Sequence, residues 1–184
     1  MNERLGDTRQ AVRTSVLAGG LLAVLGVLTW VSGESALFPS LGPSAYVLAL
    51  RPDAPESRAD RLVGGHAIGV AAGLVAYRTL AAGHAVVGTH APLSASALAL
   101  AAAGVCSLAL TVVLMVWTDL RHAPACATTL IVSLGLLSTV RAGVVIVVAV
   151  VVLLVAQRAL AVVERRWLAP VVARLRRGTI RMRS

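Results

Sequence analysis

Apolar positions in this chain fall in long, almost unbroken runs, without the alternation of an amphipathic strand or the one-sided stripe of a surface helix. The longest are Ser15 to Val31, Leu62 to about Ala82, Leu93 to Trp117 and Val140 to Ala156. A helix rises about 1.5 Å per residue, so each run crosses roughly 30 Å of hydrocarbon or nearly so. Four spanning helices are therefore predicted. The first is preceded by Arg4, Arg9 and Arg13 and closes on Trp30, an aromatic of the kind that sits at headgroup level. It is too long for a signal-peptide core and leads through VSGESALF into more apolar sequence, which predicts a retained helix.

Two shorter apolar stretches lie between these runs: Leu37–Leu50 (LFPSLGPSAYVLAL) and His122–Leu137 (HAPACATTLIVSLGLL). Each is broken near its start by proline, which predicts a discontinuous or re-entrant helix with an unwound opening. The order is thus long, short and broken, long, and then the same again. Arginine placement favours crossing over re-entry. If both short elements turn back, Arg51, Arg58, Arg61, Arg121 and Arg141 all fall outside. If both cross, the cytoplasmic side collects both termini with Arg51, Arg58, Arg61 and Arg121, leaving Arg78 and Arg141 outside. Three crossings per half make the halves opposite in orientation, the inverted-repeat plan of many secondary transporters.

Composition agrees with a membrane protein. Of 184 residues, 58% are hydrophobic and 14% charged, and the mean hydropathy is +0.84, against about half apolar and a quarter charged in a soluble domain. The formal net charge is +9, and every one of the 17 basic residues is arginine. Eight of those arginines lie in residues 158–184 beside a single acid, Glu164. Arg158–Arg177 places Leu160, Val163, Trp167, Val171 and Leu175 at helical spacing, which predicts an interfacial amphipathic helix. The chain divides into a transmembrane domain, 1–157, and a basic cytoplasmic tail, 158–184, which suits anionic lipid headgroups better than nucleic acid. Cys106 and Cys126 both sit in apolar runs without CxxC spacing and read as inert packing residues.

Candidate chemistry concentrates at the broken helices. A helix N-terminus has unpaired N–H groups and about half a positive charge, so one that begins inside a membrane offers an anion a partner without a charged side chain. Pro43 and Pro124 suit the first turns of such helices. Ser40, Gly42, Pro43, Ser44 and Tyr46 on one side, and His122, Pro124, Thr128 and Thr129 on the other, supply hydroxyl, imidazole and close backbone approach as substrate-binding candidates. The bland reading is that these prolines and glycines only kink packed helices. His66, four residues into a hydrophobic run, joins the candidates because ionisable groups at membrane depth mark functional sites and histidine exchanges protons near neutral pH. Hydrogen bonding at a helix end is its structural alternative. His84 and His90 fall in a polar turn and are expected to be solvated. Arg78 and Arg141 either draw anions toward an outer mouth or snorkel. Asp119 and Arg121 read as a local interfacial pair. Gly65, Gly69 and Gly73 make one flat helix face for close packing, against this chain or a second copy in a homo-oligomer.

Three segments in this order, LFPSLGPSAYVLALRPDAP, RLVGGHAIG and RHAPACATTLIVSLG, make the sequence resemble the HPP family of small integral membrane proteins. The family's name motif, His-Pro-Pro followed by small residues, is matched by His122, Ala123, Pro124 and Ala125. Its Gly-x-Ser-Ala stretch is matched by Gly42, Pro43, Ser44 and Ala45, and its Gly-Gly-His helix opening by Gly64, Gly65 and His66. Ala123 departs from the pattern, replacing the first proline. The likeness covers roughly residues 15 to 157. It implies four transmembrane helices and, because plant chloroplast and cyanobacterial relatives are regarded as nitrite transporters, a small-anion transporter.

No P-loop, G-x-S-x-G elbow, HExxH or metal-spaced His/Cys/acid cluster is present. The expectation is a non-enzymatic transporter or channel for nitrite or nitrate, without cofactor or metal, in a prokaryotic cytoplasmic membrane. The competing class is a non-transporting membrane module that binds a partner protein. A transporter requires a polar cavity lined by Pro43–Tyr46 and Pro124–Thr129; a module packs those segments dry.

Overall fold

The computed structural model describes residues 2–164 and 166, with side chains from Asp7 onward. Among these residues there is no strand, and the helices are α1 (Asn2–Ser32), α2 (Leu41–Leu50), α3 (Ala59–Ala76, extended by a π-helical turn over Tyr77–Ala81), α4 (Ala95–Trp117), α5 (Ala125–Ser133) and α6 (Val140–Val163). A single 3-10 turn, Pro55–Ser57, leads into α3. Two long helices start on side-chain caps, Ser94 accepting from the Ala97 N–H at 3.3 Å and Thr139 from the Ala142 N–H at 3.1 Å. Helix α6 runs through residues 157 and 158 without a break, so Leu160 and Val163 continue it. Trp167, Val171, Leu175 and most of the expected amphipathic tail lie outside the described residues.

Ion pairs fix which helix ends lie together. Arg13 of α1 meets Glu164 after α6 at 2.8 Å, and Pro52, Asp53, Asp60, Gln157 and Arg158 gather around one cleft, so the start of α3 shares that end of the bundle. Arg61 and Asp119 bind at 2.5 Å, which brings in the end of α4. At the far end Glu34, after α1, pairs with Arg141 in the first turn of α6, and the Val86 N–H donates to the Leu134 carbonyl at 2.9 Å. The Leu37 N–H donates to Thr29 Oγ1 at 3.0 Å, so the segment holding α2 starts at the far end and reaches Pro52 at the end that holds both termini of the bundle. The segment holding α5 travels the other way, from Leu120 against Gly64 to Gly135 against Ala85. The chain therefore passes along the bundle six times.

Among the described residues, three helices are long and apolar enough to cross a membrane: Asp7–Ser32, Ala95–Trp117 and Val140–Val163. Helix α3 stands where a fourth was expected, but Asp60, Arg61, His66 and four glycines dilute its apolar content. The 10 residues of α2 and 9 of α5 span only about 15 Å of helix each. The remainder of each pass is irregular backbone, in which buried Ala36, Phe38, Ser40 and His122 alternate with exposed Leu37, Pro39 and Ala123. Exposed Val16, Trp30, Leu98, Val105, Trp117, Val144 and Val155 coat the outside of the long helices, an apolar surface suited to lipid.

Helix α3 is the hub, packed on α4, α5 and α6. Its glycine face is occupied within this chain. A Cβ on Gly65 would lie 3.0 Å from His122 Cβ, on Gly69 2.8 Å from the Ala125 carbonyl, and on Gly73 2.7 Å from Val132 Cβ. The two halves share their element order but not this contact, since Gly143 of α6 faces Val70 of α3. The larger apolar core, including Leu21, Leu25, Leu41, Leu48, Leu62, Val132, Ile146 and Leu153, lies between α1, α2, α3, α5 and α6.

Candidate functional site

Where α2 and α5 begin, the interior turns polar. Ser40, Ser44, His66, His122, Thr128 and Thr129 are all fully buried, and five of them form one connected chain. Ser40 Oγ lies 2.7 Å from Thr128 Oγ1, which is 2.7 Å from His66 Nδ1. His66 Nε2 is 3.0 Å from Ser44 Oγ, which is 3.1 Å from His122 Nε2. His122 Nδ1 ends the chain at 2.9 Å from the Glu56 backbone carbonyl. The imidazole rings are 5.2 Å apart between centroids.

Helix geometry explains the convergence. Ser40 and Ser44 are one turn apart at the start of α2 and so share a face. His66 projects from α3 one turn before Gly69, where the backbone of α5 comes closest. Gly65 leaves room for His122 in the loop before α5. The other substrate-binding candidates point elsewhere: Tyr46 and Pro43 are exposed, Pro124 is half-buried at the N-cap of α5, and a Cβ on Gly42 would meet open space. These three positions of α2 are rotated away from the Ser40–Ser44 face. The first-turn N–H groups of α5 are already engaged, Ala125, Cys126 and Ala127 donating to the carbonyls of His122, Ala123 and Pro124 at 3.0 to 3.1 Å.

A second polar row was not anticipated from the sequence. Thr129 Oγ1 is 2.9 Å from Thr111 Oγ1 of α4, and Ser107, one turn earlier on α4, donates to the Gly104 carbonyl at 3.0 Å. Ser133, one turn beyond Thr129 on α5, is fully buried, and its hydroxyl has no hydrogen-bond partner. The available signal was the four-residue spacing of Ser107 with Thr111 and of Thr129 with Ser133 inside otherwise apolar helices.

Charge stays at the bundle ends. Arg51 lies 3.8 Å from Glu56, and Asp119 pairs with Arg121 at 3.6 Å, as expected, as well as with Arg61. A hydrogen bond from Arg58 holds the exposed Asp60 carboxyl below its ordinary range. Arg78 is exposed. His84 is exposed as expected, but His90 is half-buried, with its ring nitrogens 2.9 Å from Ser96 Oγ and 2.9 Å from the Ala85 carbonyl. The turn before α4 folds back on itself, which partly covers His90.

The family model described as HPP, transmembrane region, matches residues 4–168. The chain belongs to the HPP family. No curated protein and no solved structure matches it. The HPP name motif now has a place in the fold: His122 carries the imidazole at the end of the buried chain and Pro124 caps α5. The first turn of α5 closes with Ala123 where the HPP motif has its first proline.

With both rings uncharged, the Glu56 carbonyl sets every tautomer in this HPP protein, because a carbonyl can only accept. His122 must donate from Nδ1, so its Nε2, at 3.1 Å, takes the Ser44 proton in preference to the Ser40 carbonyl at 3.3 Å. Ser44 Oγ then accepts from His66 Nε2–H, and His66 Nδ1 accepts from Thr128. The two histidines are therefore opposite tautomers. Nitrogen-15 NMR of histidine-labelled protein in nanodiscs should show one Nδ1–H and one Nε2–H ring among the buried histidines, and Ser44→Ala should change the spectra of both. Two rings of the same tautomer would contradict the chain.

Proposed function

We propose that this HPP protein is a non-enzymatic transporter or channel for a small monovalent anion, nitrite or nitrate by resemblance. The observation that carries the reading is the fully buried His66–Ser44–His122 bridge at the openings of α2 and α5. Burying hydroxyl and imidazole groups in a membrane bundle is costly unless they are paired, and such groups at membrane depth mark substrate or proton paths. The donors of Ser40, Ser44, His66 and Thr128 match the acceptor oxygens of a small oxyanion. Since the first turn of α5 is closed on its own carbonyls, side chains do the recognition. Pro43, Gly42 and Tyr46 lie outside the shell so defined.

The site is packed shut, without the polar cavity expected of a transporter along Pro43–Tyr46 and Pro124–Thr129, so transport requires a second conformation in which α2 parts from α3 and α5. A non-transporting module that binds a partner protein would also pack these segments dry, but it has no use for two bridged imidazoles in its centre. We place the protein in a prokaryotic cytoplasmic membrane with α3 as a fourth span. Both termini are cytoplasmic, beside the arginine-rich loop and tail that suit anionic headgroups. The two three-helix halves then form an inverted repeat in topology, with unequal packing.

Uptake of nitrite and nitrate into proteoliposomes holding the full chain is the test. Saturable uptake is expected, reduced on the order of 10-fold or more by Thr128→Val, because that change leaves Ser40 Oγ and His66 Nδ1 each without a buried partner at about 1–3 kcal/mol apiece. Correctly inserted, folded protein that moves neither anion would overturn the assignment.

A further inference from the structure

The buried chain continues past Ser40, Ser44, His66 and Thr128, the donors of the proposed anion site. Beyond Ser44 it continues through His122 to the Glu56 carbonyl, in a half-buried loop flanked by exposed Arg51, Asp53 and Arg58. An anion site needs donors gathered about one point. A row of alternating hydroxyls and imidazoles, each within 3.1 Å of the next from Ser40 to the loop, is instead a path along which protons can pass.

The charges around it sharpen the point. Helices α2, α4 and α5 contain no charged residue. On α3 the charges Asp60 and Arg61 stand at the start, six and five residues before His66, paired with Arg58 and Asp119. On α6 Arg141 is held by Glu34 at the far end and Arg158 lines a cleft at the opposite one. The Glu56 carboxylate turns to Arg51. The titratable groups near the centre are the two histidines and the half-buried Cys126 thiol. An anion drawn among Ser40, Ser44 and Thr128 would thus find no fixed cation, and an unpaired buried charge is strongly disfavoured. The cation the site can supply is an imidazolium.

Resting on the anion-transport reading above, we infer that His66, Ser44 and His122 form a proton relay that carries one proton with each anion, so that transport is an electroneutral proton–anion symport. A proton from the outer side reaches Ser40 Oγ, which passes its own to Thr128 Oγ1 as the Thr128 O–H bond breaks and the His66 Nδ1–H bond forms, and the imidazolium balances the bound anion. Its Nε2–H bond then breaks as Ser44 Oγ takes that proton. The Ser44 proton passes to His122 Nε2, and the His122 Nδ1 proton leaves to water at the Glu56 loop. Every hop forms one bond and breaks one, and the hydroxyls and rings must reorient before the next cycle. Burial keeps water out of the path and the histidine pair supplies both acid and base.

The test uses full-length protein in liposomes loaded with a pH-sensitive dye, nitrate as the anion, and potassium with valinomycin to set the membrane potential independently of pH. At zero potential, an acidic exterior should drive nitrate uptake several-fold above the level without a gradient, with matching acidification of the lumen. An inside-positive potential without a pH gradient should drive none. Ser44→Ala should lose the pH-driven accumulation by about 10-fold, and Ser44→Thr, which restores a hydroxyl, should recover part of it. Uptake that follows potential and ignores the pH gradient would overturn the relay while leaving anion transport intact. Absence of nitrate and nitrite uptake altogether would overturn the transport reading and the relay with it. The wild-type measurement decides the matter even if a variant fails to fold.

Discussion

Gly69→Leu is expected to disrupt the packing of α3 on α5. An added Cβ would sit 2.8 Å from the Ala125 carbonyl oxygen and 2.9 Å from Thr129 Oγ1, and the first of these is backbone that cannot swing aside. Accommodating the side chain means moving α5 as a unit. Overpacking a filled interface costs typically 1–3 kcal/mol and here more, because displacing α5 also separates Thr128 from His66 and Thr129 from Thr111. A fall in unfolding temperature on the order of 10 °C follows for a chain of this size, read in detergent by thermal unfolding and by loss of a monodisperse size-exclusion peak. Gly20→Leu on α1 is the contrast, since nothing lies within 4 Å of its added Cβ and it should leave both readouts unchanged. Equal behaviour of the two variants would mean that α3 and α5 are not packed as described.

His66→Leu should have the largest effect on transport with the smallest on the fold. Leucine roughly fills the cavity of the imidazole, so the packing survives. The centre of the polar chain does not: Thr128 loses its acceptor and Ser44 its donor, dividing Ser40–Thr128 from Ser44–His122. Two lost buried partners at about 1–3 kcal/mol each correspond to a drop in anion uptake on the order of 100-fold, at about 1.4 kcal/mol per decade. His66→Gln, which retains one donor and one acceptor, should recover a measurable fraction. The readout is initial uptake rate per correctly inserted molecule, with size exclusion showing that the fold is intact. Uptake by His66→Leu equal to that of the unaltered protein would remove the buried bridge from the mechanism.

Much of the architecture was legible in the chain. Backbone polar groups have no partner in lipid, so apolar runs such as Leu93–Trp117 and Val140–Ala156 could only be helices. They appear as α4 and α6, displaced at their ends by a few residues. Proline near the start of the two shorter stretches likewise marked where helix begins late, at Leu41 and at Ala125. Arginine placement predicts six crossings of the membrane; the structure shows the chain running six times along the bundle, with three helices among the described residues long and apolar enough to span.

What composition and spacing could not supply is the rotation of each helix about its axis. A run that is apolar all round has no wet face to set its phase, so nothing local to α2 distinguishes Ser44, which is buried, from Tyr46 and Pro43, which are exposed. That choice belongs to packing against α3 and α5. The same holds for Thr111, Ser107 and Ser133, whose hydroxyls matter only because α4 and α5 run side by side. Apolar runs, prolines and spaced glycines are enough to specify a helical membrane bundle with two short interrupted helices and a glycine-faced helix. Packing alone sets α5 of the same chain on the glycine face and brings residues 22, 62 and 78 positions apart into one buried line of hydrogen bonds. Hydrophobic content is a property of segments, whereas a polar site inside a membrane bundle depends on contacts between segments distant in the chain.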